Sequence, residues 1–344
     1  MYGLSVAAVS NVNFDGPQTL GELFMKVLSA ASLLAFVFIA GCTGSTPNTT
    51  PPAPPAMTWT LQAGASSAHE ANQGLQFYTT SITIDAGDSI TWGFPAGEPH
   101  TVTFLGNRKS LPPPTDPTVP IPAGGSIYDG STYTSSGFKL LGGSYTLTFP
   151  KPGAYKYYCL LHGGLKGGMV GSITVQTAGA PYPRAQKQYT SAAQDMISSD
   201  LANAAASVNE FPYRVGGTHL AAGIAPQLNT GPPSTSTVVR FLDSKSSSDQ
   251  TVVIAVGATI TWTNLSNNFP HTVTLGIAGR RFPNLPPFSP PSGGTTYDGT
   301  VVTNSGPLFP GQSYRLTFIK AGTYTYHCLF HDDTENMIGT VSVR

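Results

Sequence analysis

Charge is scarce in this chain. Of 344 residues, 17 are Lys or Arg and 17 are Asp or Glu, so charged side chains make up 10% of the total and the formal net charge is zero. An ordinary soluble domain carries roughly 25%. There is no basic stripe to displace counterions, which excludes a nucleic-acid partner. There is also no excess of one sign to keep the chain disordered by self-repulsion. Cysteine is nearly missing: Cys42, Cys159 and Cys328 are an odd count, which cannot close a disulfide framework. Long apolar runs are missing too. The longest, Val27 to Ala40, has 14 residues, short of the ~20 needed to span a bilayer. What is abundant is Gly (38) and Pro (30), with many Thr, Tyr and Val. Turn formers around β-branched and aromatic residues point to an all-β chain with long loops. The length fits two domains at ~100–200 residues each.

The N-terminus has the form of an address. Met25-Lys26 precedes the apolar run, which ends in Ile39-Ala40-Gly41-Cys42; a basic start, a short apolar stretch and small residues make a secretory signal over 25–41. Residues 1–24 hold Asp15 and Glu22 but no Lys or Arg, so translation is expected to start at Met25. The Ile-Ala-Gly-Cys ending resembles the lipobox of bacterial lipoproteins. That resemblance implies cleavage before Cys42, a lipid on its sulfur, and a location at the cell membrane on its extracytoplasmic side. Residues 42–57 include Pro51-Pro52-Ala53-Pro54-Pro55, a stiff stretch that cannot pack and reads as a tether.

The rest of the chain is a two-copy repeat. Ser89-Ile90-Thr91-Trp92 returns as Thr259-Ile260-Thr261-Trp262. Pro99-His100-Thr101-Val102-Thr103 returns as Pro270-His271-Thr272-Val273-Thr274, and Tyr128-Asp129-Gly130 as Tyr297-Asp298-Gly299. Cys159-Leu160-Leu161-His162 returns as Cys328-Leu329-Phe330-His331, all at an offset of 169 to 171 residues. Within each copy, short alternating runs such as Tyr145-Thr146-Leu147-Thr148-Phe149 and Gly339-Thr340-Val341-Ser342-Val343 predict half-buried strands of a sandwich. The Pro-rich stretches 111–122 and 282–291 are expected as surface loops, since Pro cannot donate to a ladder. Between the copies, Gln186 to Asn209 has helical spacing at Tyr189, Ala192, Ala193, Met196, Ile197, Leu201, Ala204 and Ala205. Ser191 and Asp200 are expected on its polar face, and Met196 in its core stripe. The expected division is domain 1 at 58–178, a helical linker at 179–210 and domain 2 at 211–344.

Each copy has a distant His and then Cys, His and Met close together: His100, Cys159, His162 and Met169 in the first; His271, Cys328, His331 and Met337 in the second. A thiolate, two imidazoles and a weak thioether are the donor set of a blue-copper electron-transfer site. Zinc also takes Cys and His, but Met and the pattern around it favour copper. Three ligands fall in one loop between two strands and one comes from a distant strand.

These residues, with Asn267-Asn268-Phe269-Pro270-His271, the Tyr-x-Tyr approach to Cys159 and Cys328 and the Met-x-Gly exits Met169-Val170-Gly171 and Met337-Ile338-Gly339, resemble the cupredoxin family, especially its plastocyanin- and auracyanin-like members. The resemblance implies two Greek-key β-sandwiches, a type-1 copper in each, and single-electron transfer to redox partner proteins with His162 and His331 as the electron exits. One departure is the spacing. Six residues separate His162 from Met169 and five separate His331 from Met337, where plastocyanins typically have four, which puts axial ligation by Met in question.

Three His remain: His69, His219 and His327. His327 precedes Cys328, where copper oxidases and copper nitrite reductases carry a ligand of a further copper. Those enzymes also need His-x-His pairs or a His soon after the strand ligand, and neither is here. His327 is therefore expected as a surface strand residue, and the chain as a carrier, not an enzyme. The alternatives are a two-domain copper oxidase or nitrite reductase, or a copper storage or delivery protein. Trp92 and Trp262 are expected as core fillers. The loop Asp332-Asp333-Thr334-Glu335 is acidic where the first copy has Gly163-Gly164-Leu165-Lys166, so the two sites present different fields to a docking partner if these loops are exposed.

Overall fold

The computed structural model describes residues 55–68, 71–114, 116–162, 168–207, 219–224, 235–243, 251–266, 270–332 and 335–344. The stretches at 1–24 and 25–41, Cys42, most of the tether, His69, residues 163–167 and Asn267-Asn268-Phe269 lie outside the described residues.

The first repeat supplies β1 (Thr58–Ser66), β2 (Asn72–Tyr78), β3 (Ser81–Asp85), β4 (Ser89–Phe94), β5 (Thr103–Phe104), β6 (Thr134–Ser135), β7 (Gly143–Thr148), β8 (Gly153–Tyr158) and β9 (Val170–Gln176). Helix α1 follows (Gln186–Ser207). The second repeat supplies β10 (His219–Ile224), β11 (Ser236–Asp243), β12 (Thr251–Ile254), β13 (Thr259–Leu265), β14 (Thr274–Leu275), β15 (Thr296–Tyr297), β16 (Thr303–Asn304), β17 (Ser313–Phe318), β18 (Gly322–His327) and β19 (Ile338–Val343).

Alternation decides which face is covered. In β4 the residues Ile90, Trp92 and Phe94 are buried while Ser89, Thr91 and Gly93 are half-exposed, and β13 repeats this with Ile260, Trp262 and Asn264. Strands β2-β1-β4-β7 form one layer of the first sandwich and β3-β9-β8-β5-β6 the other. Trp92, Phe104, Leu147, Phe149, Tyr157 and Ile173 lie in the core between them. The second repeat builds the same pair of layers, β11-β10-β13-β17-β15 and β12-β19-β18-β14-β16, around Trp262, Leu275, Leu316, Phe318 and Tyr326. Both tryptophans fill cores, as their strand positions indicate.

The sandwiches are not merely linked. Strand β2 pairs with β11 antiparallel, Gly74 facing Ser236 and Asn72 facing Val238. Two further bonds close the seam, Leu75 N–H to Thr235 O at 2.7 Å and Val239 N–H to Ala71 O at 2.8 Å. One layer of each repeat thereby joins a continuous nine-stranded sheet. Helix α1 packs across this seam, and its sequence reading needs correction at Asp200. That carboxylate is buried, accepting hydrogen bonds from Tyr78 Oη at 2.6 Å, Gln76 Nε2 at 2.7 Å and Thr235 Oγ1 at 2.6 Å. Tyr78 and Gln76 belong to the first repeat and Thr235 to the second, so Asp200 braces both. A helical period flags which residues face inward, but not that an inward polar residue has partners waiting.

Candidate metal centre

His100 sits between β4 and β5 on a short bridge to Lys139, with its N–H bonded to Lys139 O at 3.1 Å and its C=O accepting from Lys139 N–H at 2.9 Å. His271 is held in the same way by Leu308, at 3.0 and 2.7 Å. Cys159 follows the end of β8 and Cys328 the end of β18. The loop each opens is closed by backbone bonds: Met169 N–H to His162 O at 2.8 Å and Cys159 N–H to Met169 O at 3.1 Å, matched by Met337 N–H to His331 O at 2.8 Å and Cys328 N–H to Met337 O at 3.1 Å. The longer spacing before each Met therefore leaves the loop base closed.

These constraints bring the donor atoms together. Cys159 Sγ lies 3.7 Å from His100 Nδ1 and 3.4 Å from His162 Nδ1. Cys328 Sγ lies 3.7 Å from His271 Nδ1 and 3.2 Å from His331 Nδ1, and the two Nδ1 atoms are 3.1 Å apart. All six residues are buried. Met169 and Met337 are buried in the same cores as their cysteines. One soft sulfur and two imidazole nitrogens converging in a dry cage suit copper, which takes thiolate and imidazole in both of its oxidation states.

The protonation states of three of the four imidazoles fit metal binding. Burial pushes His100 down to about 3. Burial, then the neighbouring His100 and His331, holds His162 well below its ordinary value; burial and then His331 do the same to His271. Neutral imidazole is the ligand form. Burial pushes the Cys159 thiol up, so the thiolate needs a cation beside it. Each sulfur also accepts a backbone N–H, from Thr101 or Thr272, at 3.4 Å. The hydroxyls of these threonines accept from Leu160 N–H at 2.8 Å and Leu329 N–H at 2.7 Å, pinning the ligand loop to the strand that carries the first His.

Several contributors escape a reading of motifs alone. Gly64 in β1 and Gly223 in β10 have φ of +73° and +74°, and the space their Cβ atoms would fill holds the rings of His100 and His271. Gly171 and Gly339 face Tyr157 and Tyr326 across the strand pair, and those rings occupy the space of their missing Cβ atoms. This contact ties the Tyr-x-Cys approach to the Met-x-Gly exit. Sequence showed both motifs but not that they touch.

Three expectations need correction. His162 is 1% exposed and His331 0%, so neither loop imidazole offers an edge to solvent as the electron-exit reading requires. His331 instead meets Glu98 of the first repeat, Nε2 to Oε1 at 2.7 Å with both side chains fully buried. Burial opposes charge on His331, but Glu98 and then Cys328 outweigh it and hold its pKa well above the ordinary value. Glu335 is also buried, so that residue is not part of a solvated acidic surface. His327 is half-buried: its ring stacks on Phe282 at 3.8 Å and its Nδ1 lies 3.4 Å from Asp332. Among the described residues, neither His327 nor His219 joins a metal-ligating group.

The family model for copper binding proteins of the plastocyanin/azurin family matches residues 64–176 and again 246–344. A plastocyanin of Scenedesmus fuscus is 33% identical over 117 residues, 34% of this chain and 98% of that protein. A chloroplastic plastocyanin of Tetradesmus obliquus is 34% identical over 102 residues, 30% of this chain and 59% of that protein. Among solved structures, a purple cupredoxin from Nitrosopumilus maritimus aligns at 22% identity over 37% of this chain and 99% of its own, with a TM-score of 0.23. Among the described residues no helix is long and apolar enough to cross a membrane.

Proposed function

Because this chain belongs to the copper-binding plastocyanin/azurin family, we propose that it is an extracytoplasmic single-electron carrier with two type-1 sites, one per repeat. Copper is the cofactor of the family, and the two His-Cys-His groups fit two ions. His100, Cys159, His162 and Met169 would hold one ion, and His271, Cys328, His331 and Met337 the other. When bound, copper supplies a one-electron couple between Cu(I) and Cu(II). The chain's own part is rigidity and dryness. His100 and His271 are clamped through their backbones by Lys139 and Leu308, and Thr101 and Thr272 fix each ligand loop. A cage that cannot relax keeps one geometry in both oxidation states. The amides on each sulfur withdraw electron density from it, which tunes the potential.

The observation that carries this reading is the same three-donor cage, buried in the same way, built twice. The test is copper stoichiometry with visible and paramagnetic spectra of the oxidised protein. Two coppers per chain and an intense visible thiolate band are expected. Cys159→Ser and Cys328→Ser each remove about half of the colour, and the double variant all of it; colour remaining in the double variant overturns the assignment. A further non-blue copper signal with turnover of nitrite or oxygen overturns the carrier reading in favour of an oxidase or reductase.

Lipid anchoring through Cys42 belongs to the same proposal, supported by the lipobox-like Ile39-Ala40-Gly41-Cys42 and the Pro-rich stretch that follows. Cys42→Ser is expected to release the protein from the membrane fraction. Retention there excludes the anchor.

A further inference from the structure

Glu98 is a fully buried carboxylate two residues before His100 in the first repeat, yet its contact is with a ligand of the second: Oε1 lies 2.7 Å from His331 Nε2. Apart from this ion pair, neither carboxylate oxygen has a hydrogen-bond partner among the described residues. Burying a carboxylate away from water costs several kcal/mol unless a partner compensates, so this contact is what makes the position tolerable. The other edge of the same ring points the opposite way, Nδ1 lying 3.2 Å from Cys328 Sγ. A metal-bound imidazole is ordinarily oriented by an acceptor on its second nitrogen, which fixes the tautomer and strengthens the donor. The two repeats differ in sequence at this place. Where the first repeat reads Gly97-Glu98-Pro99-His100, the second reads Asn268-Phe269-Pro270-His271, and Phe cannot accept a hydrogen bond.

We propose that Glu98 is a positioning residue for the second metal site, lent to it by the first repeat. Its carboxylate holds His331 with the proton on Nε2 and a bare Nδ1 turned to the metal, and its negative charge favours Cu(II) over Cu(I) most strongly in that site. The second site is therefore incomplete without the first repeat, and its potential is set partly by a residue outside its own sandwich. This inference rests on the copper assignment above.

The two sites are read separately: a Cys159→Ser background reports only the second, a Cys328→Ser background only the first. Glu98→Gln keeps an acceptor oxygen and removes the charge. It is expected to raise the reduction potential of the second site, leave that site's paramagnetic spectrum unchanged, and raise the first site's potential by clearly less. Glu98→Ala removes both charge and acceptor. It is expected to alter the copper hyperfine pattern of the second site and to weaken its copper affinity about 10–100-fold. In metal-free protein, nitrogen-edited magnetic resonance is expected to show a slowly exchanging His331 Nε2–H in the wild type and in Glu98→Gln, and to lose it in Glu98→Ala. An unmoved second-site potential in Glu98→Gln, equal shifts at both sites, or an unprotected Nε2–H in the wild type overturns the proposal. Absence of any thiolate–copper band in the wild type is a different result, and it removes the copper assignment itself.

Discussion

At the scale of single residues, the buried histidines make the metal-free protein sensitive to acid. A free imidazole titrates at about 6.5, whereas burial pushes His100 down to about 3 and holds His162 and His271 well below their ordinary value. The unfolded chain takes up these protons first, so their stabilising contribution is complete above about pH 6.5 and is lost as the pH falls toward 3. His331 has the opposite sign: its pKa is raised, so its contribution is present in acid and fades as the pH rises through the raised value. Three lowered groups against one raised one give a net loss in acid, concentrated in the first repeat. The melting temperature of metal-free protein should fall between pH 7.5 and pH 5, and a flat or rising profile contradicts this. The two His-Cys-His groups were legible in the sequence because Cys and His are rare here and recur together. Glu98 was not, because nothing local to Gly97-Glu98-Pro99 shows that its partner lies in the other repeat.

At the scale of elements, the strands were legible from alternation and from their turn residues, and the two glycine contacts were not. A motif records which residues recur, whereas Gly64 and Gly223 matter for what crosses over from another strand. Each lies at an irregularity in its pairing with the next strand, between Ala63 and Ala65 in β1 and between Ala222 and Ile224 in β10. At each, left-handed backbone brings the chain close against a ligand imidazole. A side chain in that conformation costs roughly 1–2 kcal/mol, and at Gly223 a methyl group must also displace the His271 ring. Gly223→Ala is therefore expected to lose at least that much stability in denaturant titration and to change the paramagnetic signature of the second site but not the first. An unchanged second-site spectrum would show that the ring is not held by this contact. Helix α1 teaches the same lesson: its period was readable, but the three hydrogen bonds that seat Asp200 come from residues far away in the sequence.

At the scale of the whole molecule, the duplication was plain from the repeated motifs, and its consequence for the sheet was not. Edge strands carry no mark of what they pair with, and nothing in Asn72–Tyr78 or Ser236–Asp243 names the other as its partner. Their pairing and the Asp200 brace bind the repeats into one unit, for which cooperative unfolding is expected. Calorimetry of the metal-free protein should show a single transition whose calorimetric and van't Hoff enthalpies agree. Two resolved transitions would mean that the seam is weaker than either core.

That seam has a further consequence. Strands β2 and β11 hold equivalent places in their repeats and run antiparallel to each other, the arrangement two identical subunits adopt about a two-fold axis. A lone repeat would carry the same edge unpaired, a template for a second copy of itself. Fusing the copies fixes the local concentration of one edge beside the other, so assembly no longer depends on how much protein the cell makes. It also ends the requirement that both halves of the contact be encoded by one sequence. An acidic residue can then arise on one side and a phenylalanine on the other, and a symmetric pair becomes a molecule with two unlike ends.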